Sequence, residues 1–208
     1  MELSFKQVES VFAERFGIEG DQAAAFRGRL QHLQRAGVPS QVNTGKGTRA
    51  SYGWRQIVEL AVALDFIDLG LRPEIAVETV RAHAEKLLGS LHRILSNFDN
   101  EKACAKSIAK GRCGYKCTEI IVTAAGVLSI SQGEERDGSY LLTLSAPDFR
   151  KHVERDPGIH PTEAHLDFGS RMMLVAQLVG RAAFPGPIET ARDLLTWSAE
   201  WARKELEP

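Results

Sequence analysis

Positive charge without nearby negative charge is the chemical feature that stands out in this sequence. From Gln22 to Val58 the chain has no Asp or Glu, and its six basic residues are Arg27, Arg29, Arg35, Lys46, Arg49 and Arg55. The whole chain carries a formal charge of −1, so these six positive charges leave −7 for the rest. Guanidinium and ammonium groups attract phosphates, whereas a neighbouring carboxylate would repel them. The segment therefore predicts a surface that contacts a polyanion.

The composition favours a globular protein in water. Hydrophobic residues make up 43% of the 208 residues and charged residues 25%, which is ordinary for such proteins. No apolar run reaches the roughly 18 to 20 residues that span a bilayer, and the first residues lack the apolar core of a signal peptide. Three cysteines do not make a disulfide framework in a chain this long. We expect a cytoplasmic protein with no membrane partner.

Two helices are predicted in the first 37 residues of the chain. Ser4 is a suitable N-cap for a helix that ends at Gly17, and Asp21 is a suitable N-cap for a second helix that ends at Gly37. The second helix has an apolar face formed by Phe26, Leu30 and Leu33. Two helices joined by about four residues form a helix-turn-helix pattern.

A β-hairpin and two further helices are predicted next. Residues 40–42 and 50–52 have the character of short strands, and "NTGKGTR" between them is a suitable loop, since glycine and asparagine adopt the positive φ of tight turns. An apolar-faced helix follows from Trp54 to a stop at Gly70, and Pro73 is suited to the first position of a fourth helix.

The fourth helix has a long apolar stripe. Its residues follow spacings of 4, 3, 4, 3 and 4: Val80, Ala84, Leu87, Leu91, Ile94 and Phe98. This is the spacing of a coiled-coil seam, and it is equally the spacing of a stripe that faces the core of a helix bundle. Both interpretations remain open.

The second half predicts a separate region with its own strands. Residues 101–117 are small, polar and basic, which predicts a linker or an irregular segment. The β-branched runs at 118–131 and 139–147 predict a hairpin around the turn "QGEERDG". Helices are expected at about 162–183 and 188–206. We therefore predict a chain that is mainly α with small β elements, with one region at residues 1–100 and a C-terminal α+β domain at residues 101–208.

The first hundred residues resemble the DNA-binding domain of the MerR family of bacterial transcription regulators. The resemblance lies in "FRGRLQHLQRAGV" at 26–38 and in "GTRASYGWRQIVELAVALDFIDLGLRPEIAVETV" at 47–80. This chain has one extra residue between Arg49 and Tyr52, and its second helix lacks the family's Arg-Tyr-Tyr-Glu core. The resemblance implies a winged helix-turn-helix, double-stranded DNA as the partner, and a homodimer whose C-terminal domain dimerises, binds a small effector or contacts a protein partner.

The side chains of this region suit contacts with DNA. Glutamine and arginine on an exposed helix face reach base edges in the major groove, and basic residues of a wing neutralise phosphates. The predicted DNA-binding residues are Gln22, Arg27, Gln31, Gln34, Arg35, Lys46, Arg49, Tyr52 and Arg55. For Tyr52 two roles are open, packing of the wing against the helices and a hydrogen bond to phosphate.

Other sites are less favoured by the sequence. Cys104, Cys113 and Cys117 are weak candidates for a metal or redox site, because "CGYKC" does not have the Cys-x-x-Cys spacing of a zinc knuckle. No constellation of residues indicates catalysis, so we predict a protein that is not an enzyme and needs no cofactor. The alternatives are an architectural or excisionase-like DNA-binding accessory factor, and a small enzyme or ligand-binding protein whose basic face is incidental.

Overall fold

A computed structural model describes residues 1–42, 49–114, 119–124, 141–155 and 163–206. In these residues the chain is mainly helical with small β elements, as predicted. The helices are α1 (Phe5–Phe16), α2 (Gln22–Arg35), α3 (Trp54–Asp68), α4 (Pro73–Ser96), α5 (Glu101–Lys110), α6 (Ala146–Arg155), α7 (Phe168–Ala183) and α8 (Pro187–Leu206). The strands are β1 (Leu3–Ser4), β2 (Ser51–Tyr52), β3 (Glu119–Ala124), β4 (Leu141–Ser145) and β5 (Glu163–Asp167). The predicted loop at 43–48, with Lys46, the turn at 132–138, and Cys117 lie outside the described residues.

Helices α1 and α2 form where the sequence predicts them. The Ser4 hydroxyl and the Gln7 side chain make a reciprocal capping box at the start of α1, and Gly17 ends that helix with a left-handed φ of 62°. Helix α2 buries the predicted apolar face of Phe26, Leu30 and Leu33. The prediction for Asp21 was wrong in one respect, because its side chain makes no capping hydrogen bond.

The predicted strand at residues 40–42 is absent. Strand β2 pairs instead with β1 at the beginning of the chain, with Leu3 opposite Tyr52. Side chains of α3 take up the hydrogen-bonding groups of Ser40. The N–H and the hydroxyl of Ser40 donate to the carboxylate of Glu59, and the carbonyl of Ser40 accepts from Gln56 Nε2 at 3.1 Å. A segment whose backbone groups bond to helix side chains in this way cannot form a strand ladder.

The apolar stripe of α4 faces the interior of its own chain. Val80, Leu87, Leu91 and Ile94 are at most 1% exposed, and α4 packs against α3 and α8. Pro73 is in the first turn of α4, as predicted. Of the two interpretations left open by the spacing, the core-facing stripe is therefore the one that the structure shows.

Residues 101–110 form helix α5, so the prediction of a linker was wrong there. The side chain of Asn100 accepts a hydrogen bond from the Ala103 N–H at 3.0 Å, and Gly111 ends the helix with a left-handed φ of 59°. Both are standard helix boundaries, and alanines between them favour helix. The helix buries Cys104, Ala105 and Ile108, a spacing that also fits an amphipathic helix.

The predicted hairpin forms the middle and one edge of a three-stranded antiparallel sheet with the order β4-β3-β5. Ile121 pairs with Thr143 on one side and with Leu166 on the other. Strand β5 occupies residues that were predicted to be helical, and α7 begins only at Phe168, where the Asp167 carboxylate caps the Ser170 N–H at 3.0 Å. Helix α6 was not predicted, although Ser145 and Asp148 cap it as a Ser-x-x-Asp pattern does.

One apolar core runs through both halves of the described chain. It contains Phe12 and Phe66 from the first half and Phe168 and Met173 from the second. Helices α1 and α3 pack against α7, and α4 packs against α8. Residue 100, the predicted domain boundary, therefore does not coincide with a gap in the packing.

Candidate nucleic-acid interface

The outer surface of α2 is the exposed helical face within the acid-free segment. Ala24, Gly28, Gln31 and Arg35 are all exposed, and their 4-3-4 spacing places them along one line of the helix, opposite its buried apolar face. Gly28 is open to solvent, since a Cβ placed there would have no atom within 4 Å. The first two residues of this line, Ala24 and Gly28, are small, and the last two, Gln31 and Arg35, have hydrogen-bonding side chains.

The other predicted α2 residues lie at the edges of this face. Gln34 is only partly exposed, and Gln22 is exposed at the first position of the helix. The side chain of Arg27 is 58% exposed, but its Nε donates to both oxygens of Glu9 on α1, at 2.9 and 3.1 Å. Arg27 is therefore already neutralised by a carboxylate from outside the acid-free segment.

Arg55 contributes to an internal cluster. Its Nε donates to Glu59 at 3.0 Å, its Nη2 donates to Glu85, and only 21% of its side chain is exposed. Burial alone would lower the pKa of Arg55, but the two carboxylates outweigh it and raise that pKa. Arg55 thus joins α3 to α4, and the carboxylates of Glu59 and Glu85 already neutralise its charge.

Tyr52 lies in the core. Its side chain is 1% exposed, and its ring lies 6.4 Å from that of Phe5, centroid to centroid. Burial raises the pKa of its phenol above the ordinary value. Of the two roles expected for Tyr52, packing is the one that the structure shows.

Three arginines of the segment keep an uncompensated charge. Arg29, Arg35 and Arg49 are exposed, and none of them makes an ion pair with another described residue. Arg35 donates its Nε to the carbonyl of Gln31 at 3.3 Å, which orients it along the helix. Sequence reasoning did not single out Arg29, although its lack of acidic neighbours was the signal that could have identified it.

A groove of about 600 Å³ borders the C-terminal end of α2. His32 and Ala36 line it from α2, and Glu74, Glu78 and Arg81 line it from α4. Glu74 pairs with Arg72 at 3.7 Å, and Glu78 and Arg81 are both exposed. The groove therefore presents charges of both signs beside this end of the helix.

A buried ion-pair cluster fixes α1, which carries α2, to the rest of the chain. Asp65 of α3 accepts from Arg15 of α1 at 2.6 and 2.7 Å and from Arg171 of α7 at 2.8 Å. The side chains of Asp65 and Arg15 are both 3% exposed. Burial raises the pKa of Asp65, against the opposite effect of the two guanidiniums.

The cysteines are not gathered into a site in the described part of the chain. Cys104 is fully buried in α5, and Cys113 is half-buried beyond it. Among the described residues, no group of three His, Cys, Asp or Glu side chains is placed to hold a metal ion.

No protein-family model, curated protein or solved structure matches this chain. The resemblance to MerR regulators therefore depends on the residues quoted above. None of the helices in the described ranges combines the length and the apolar character of a membrane span.

Proposed function

We propose that this protein is a sequence-specific DNA-binding transcription regulator that acts as a homodimer. In this proposal α1 and α2 form a MerR-like helix-turn-helix without the predicted hairpin of residues 40–42 and 50–52, and α2 enters the major groove. Gln31 and Arg35 read base edges, Arg29 and Arg49 contact phosphates, and Lys46 does the same from the loop. Two copies related by a two-fold axis would place two α2 helices on successive half-sites.

The observation that carries the proposal is the outer face of α2. Its apolar residues pack inward, its outward line is exposed, and Ala24 and Gly28 leave the helix surface low enough for close approach to a groove. Glutamine binds adenine and arginine binds guanine through paired hydrogen bonds. No carboxylate belongs to this helix.

An architectural or excisionase-like accessory factor is the second candidate. It would use the same face and the same arginines, but it would bend DNA without reading a recurrent sequence. The two candidates differ in sequence preference, so a binding experiment separates them.

A small effector would have a place in the C-terminal half. A cavity of about 370 Å³ lies between the ends of α5 and α7 and the start of α8, within the size range of small-molecule sites. Ile108, Phe184 and Pro187 supply apolar walls, and Gln177 and Arg181 supply polar groups. Such a ligand would suit a regulator better than an architectural protein.

The first experiment is selection of bound fragments from a genomic library, followed by titration of the best fragment at several salt concentrations. If Arg29, Lys46 and Arg49 of each chain contact phosphates, a dimer neutralises six, and log K is expected to fall against log salt with a slope of about −5. A recurrent inverted repeat with this slope supports the regulator. Binding without sequence preference supports the accessory factor, and a slope near zero contradicts both.

Three single variants test the placement of the interface. Gln31→Ala is expected to change the preference among sequences, whereas Arg49→Ala is expected to weaken binding to all sequences alike. Glu9→Gln removes the carboxylate that neutralises Arg27, so it is expected to strengthen binding and to steepen the salt slope by about 1 for each chain bound.

Arg72→Ala is the control, because Arg72 is a surface arginine at the start of α4, is 56% exposed and pairs with Glu74 at 3.7 Å; it is expected to bind like the parent protein. If Gln31→Ala, Arg49→Ala and Glu9→Gln bind like the parent protein as well, the interface is not where we propose it.

A further inference from the structure

A second basic segment without carboxylates lies in the other half of the chain. Residues 102–118 contain no Asp or Glu, and their five basic residues are Lys102, Lys106, Lys110, Arg112 and Lys116. Five in 17 residues is a higher density than the six in 37 residues of the first segment. The described part of this second segment is helix α5 and the residues that follow it.

Helix α5 presents three of these charges on one side. Lys102, Lys106 and Lys110 are all exposed, and their spacing of four residues aligns them along the helix over about 12 Å. The opposite side, with Cys104 and Ile108, is buried against the core. Arg112 is exposed just after the helix ends. We call these four residues the α5 basic face.

The α5 basic face is not compensated within the described residues. None of its four side chains forms an ion pair there. The two acids that flank the segment in the sequence are engaged elsewhere: Glu101 accepts from Arg192 at 3.2 Å, and Glu119 accepts from Arg93 at 3.1 Å. In the first basic segment, by contrast, carboxylates from outside the segment neutralise Arg27 and Arg55.

The stability of the fold does not explain this face. Like charges four residues apart destabilise a helix, and Lys102 lies in the first turn, where the helix dipole disfavours a cation. Helix α5 packs against α7 and α8, which holds the charges in a fixed array. Such an array suits an extended anionic partner.

We propose that the α5 basic face is a second contact surface for the phosphate backbone of DNA, independent of sequence. Lysine is a flexible point charge that suits phosphate contacts without a defined base partner. The exposed residues of α5 include no large apolar side chain, Ala109 being the only exposed apolar one in this helix, so the face lacks what a membrane-surface helix buries in lipid. The proposal rests on DNA as the partner of the proposed function, but it does not require that α2 reads the bases.

The test is a triple variant of the full chain, Lys102→Gln, Lys106→Gln and Lys110→Gln, compared with a control that loses the same charge elsewhere. The control is Lys6→Gln, Arg203→Gln and Lys204→Gln, three exposed residues of α1 and α8. Glutamine is a good helix former and all six positions are exposed, so both variants are expected to fold, as circular dichroism would verify. Binding is measured by fluorescence anisotropy on the selected fragment and on an unrelated duplex, between 0.05 and 0.3 M salt.

The α5 variant is expected to lose about 100-fold in affinity for each chain bound at 0.1 M salt on both duplexes. The α5 lysines would add to the slope of about −5 expected from the first basic segment alone, so the slope of the parent dimer is expected to be steeper than about −5. The slope of the variant is expected to be shallower than that of the parent by about 3 for each chain bound. The control variant is expected to bind within about three-fold of the parent protein, because its charges make only a long-range contribution. If the α5 variant and the control bind alike, the proposal is overturned while α2 binding stands.

Two further outcomes separate this inference from the proposed function. If the α5 variant loses affinity while Gln31→Ala and Arg49→Ala have no effect, the α5 basic face is supported and the placement of α2 fails. Lysine-dependent binding to phosphatidylserine vesicles, with no binding to either duplex, would overturn both and assign the face to a membrane surface.

Discussion

Asp65 is a carboxylate in the interior whose two partners come from distant parts of the chain. Arg15 and Arg171 donate to it from α1 and α7, and Nη1 of Arg15 is buried without any hydrogen-bond partner among the described residues. Such a cluster contributes little net stability when it is intact, since each charge must be desolvated, but it is sensitive to the loss of one member.

Asp65→Asn is therefore expected to lower the free energy of unfolding by about 3–5 kcal/mol, because it leaves a buried guanidinium without a counter-charge. Urea denaturation followed by circular dichroism measures the change. Asp68→Asn, at the exposed end of the same helix, is expected to stay within about 0.5 kcal/mol of the parent protein. Equal effects of the two substitutions would show that the cluster does not hold α1 in place.

The buried phenol of Tyr52 predicts a loss of stability at high pH. Its pKa in the folded protein is raised above the 10.0 of an exposed phenol by burial. A group with a raised folded-state pKa contributes stability below its unfolded-state pKa and loses it as the pH rises through the folded-state value.

Tyr52→Phe removes this ionisation and keeps the ring. Relative to the parent protein, its urea midpoint is expected to rise as the pH passes from about 9 to about 11. The other two tyrosines are present in both proteins, so the difference reports on Tyr52. Parallel curves over this range would mean that the phenol titrates as freely in the folded state as in the unfolded state.

At the scale of elements, the parts that the sequence predicts are those whose boundaries are set locally. Helices α1 to α4 begin and end at residues such as Ser4, Gly17 and Pro73, whose side chains or φ angles fix the boundary without help from the rest of the chain. The β3–β4 hairpin follows from β-branched runs in the same way. Strand β5 depends on a long-range pairing with β3, so its own residues do not determine it.

Glu59 shows why one local prediction failed. Residues 40–42 have strand-like residue types, but the buried carboxylate of Glu59 binds the N–H and the hydroxyl of Ser40 across 19 positions of sequence. A buried carboxylate needs hydrogen-bond donors, and the donors within reach of Glu59 are the N–H and the hydroxyl of Ser40. This tertiary demand overrides strand propensity at that segment.

The close approach of α7 and α8 depends on Gly180. A Cβ at this position would lie 2.7 Å from Oγ1 of Thr190, a buried side chain whose hydroxyl already donates to the carbonyl of Gly186. Gly180→Ala is therefore expected to lower the free energy of unfolding by about 1–3 kcal/mol through overpacking, as measured by urea denaturation.

Gly28→Ala in α2 is the matched control. Its Cβ would meet no atom within 4 Å, so the substitution is expected to stabilise the protein by about 0.5–1 kcal/mol through helix propensity alone. If Gly180→Ala also stabilises the protein, the two helices can separate without loss of packing.

At the scale of the whole molecule, the candidate interface could be predicted only in part. The absence of acids between residues 22 and 58 was visible in the sequence, and it drew attention to α2. The pair of Arg55 with Glu59 is local to α3, four residues apart, but that Glu9 and Glu85 neutralise Arg27 and Arg55 follows only from the packing of α1, α2, α3 and α4. Among the described residues of the segment, the same packing leaves Arg29, Arg35 and Arg49 as the uncompensated charges.

The continuous core predicts that the first hundred residues do not fold alone. Contacts cross the predicted boundary at several points, for example from Trp54 Nε1 to Asp193 at 2.7 Å and from Trp201 Nε1 to Glu85 at 3.2 Å. A fragment of residues 1–100 would expose the faces of α1, α3 and α4 that α7 and α8 cover, and a lost apolar contact costs about 25 cal/mol for each Å² returned to water.

We therefore expect the fragment to lack a cooperative urea transition, whereas the full chain unfolds in one transition that far-UV circular dichroism and tryptophan fluorescence report at the same midpoint. Coincident probes are informative here because Trp54 lies in the first half and Trp197 and Trp201 lie in the second. A fragment that unfolds cooperatively, and binds the selected DNA, would instead establish residues 1–100 as an independent domain. In that case the ion pairs and tryptophan contacts across the boundary would join two stable units instead of completing one.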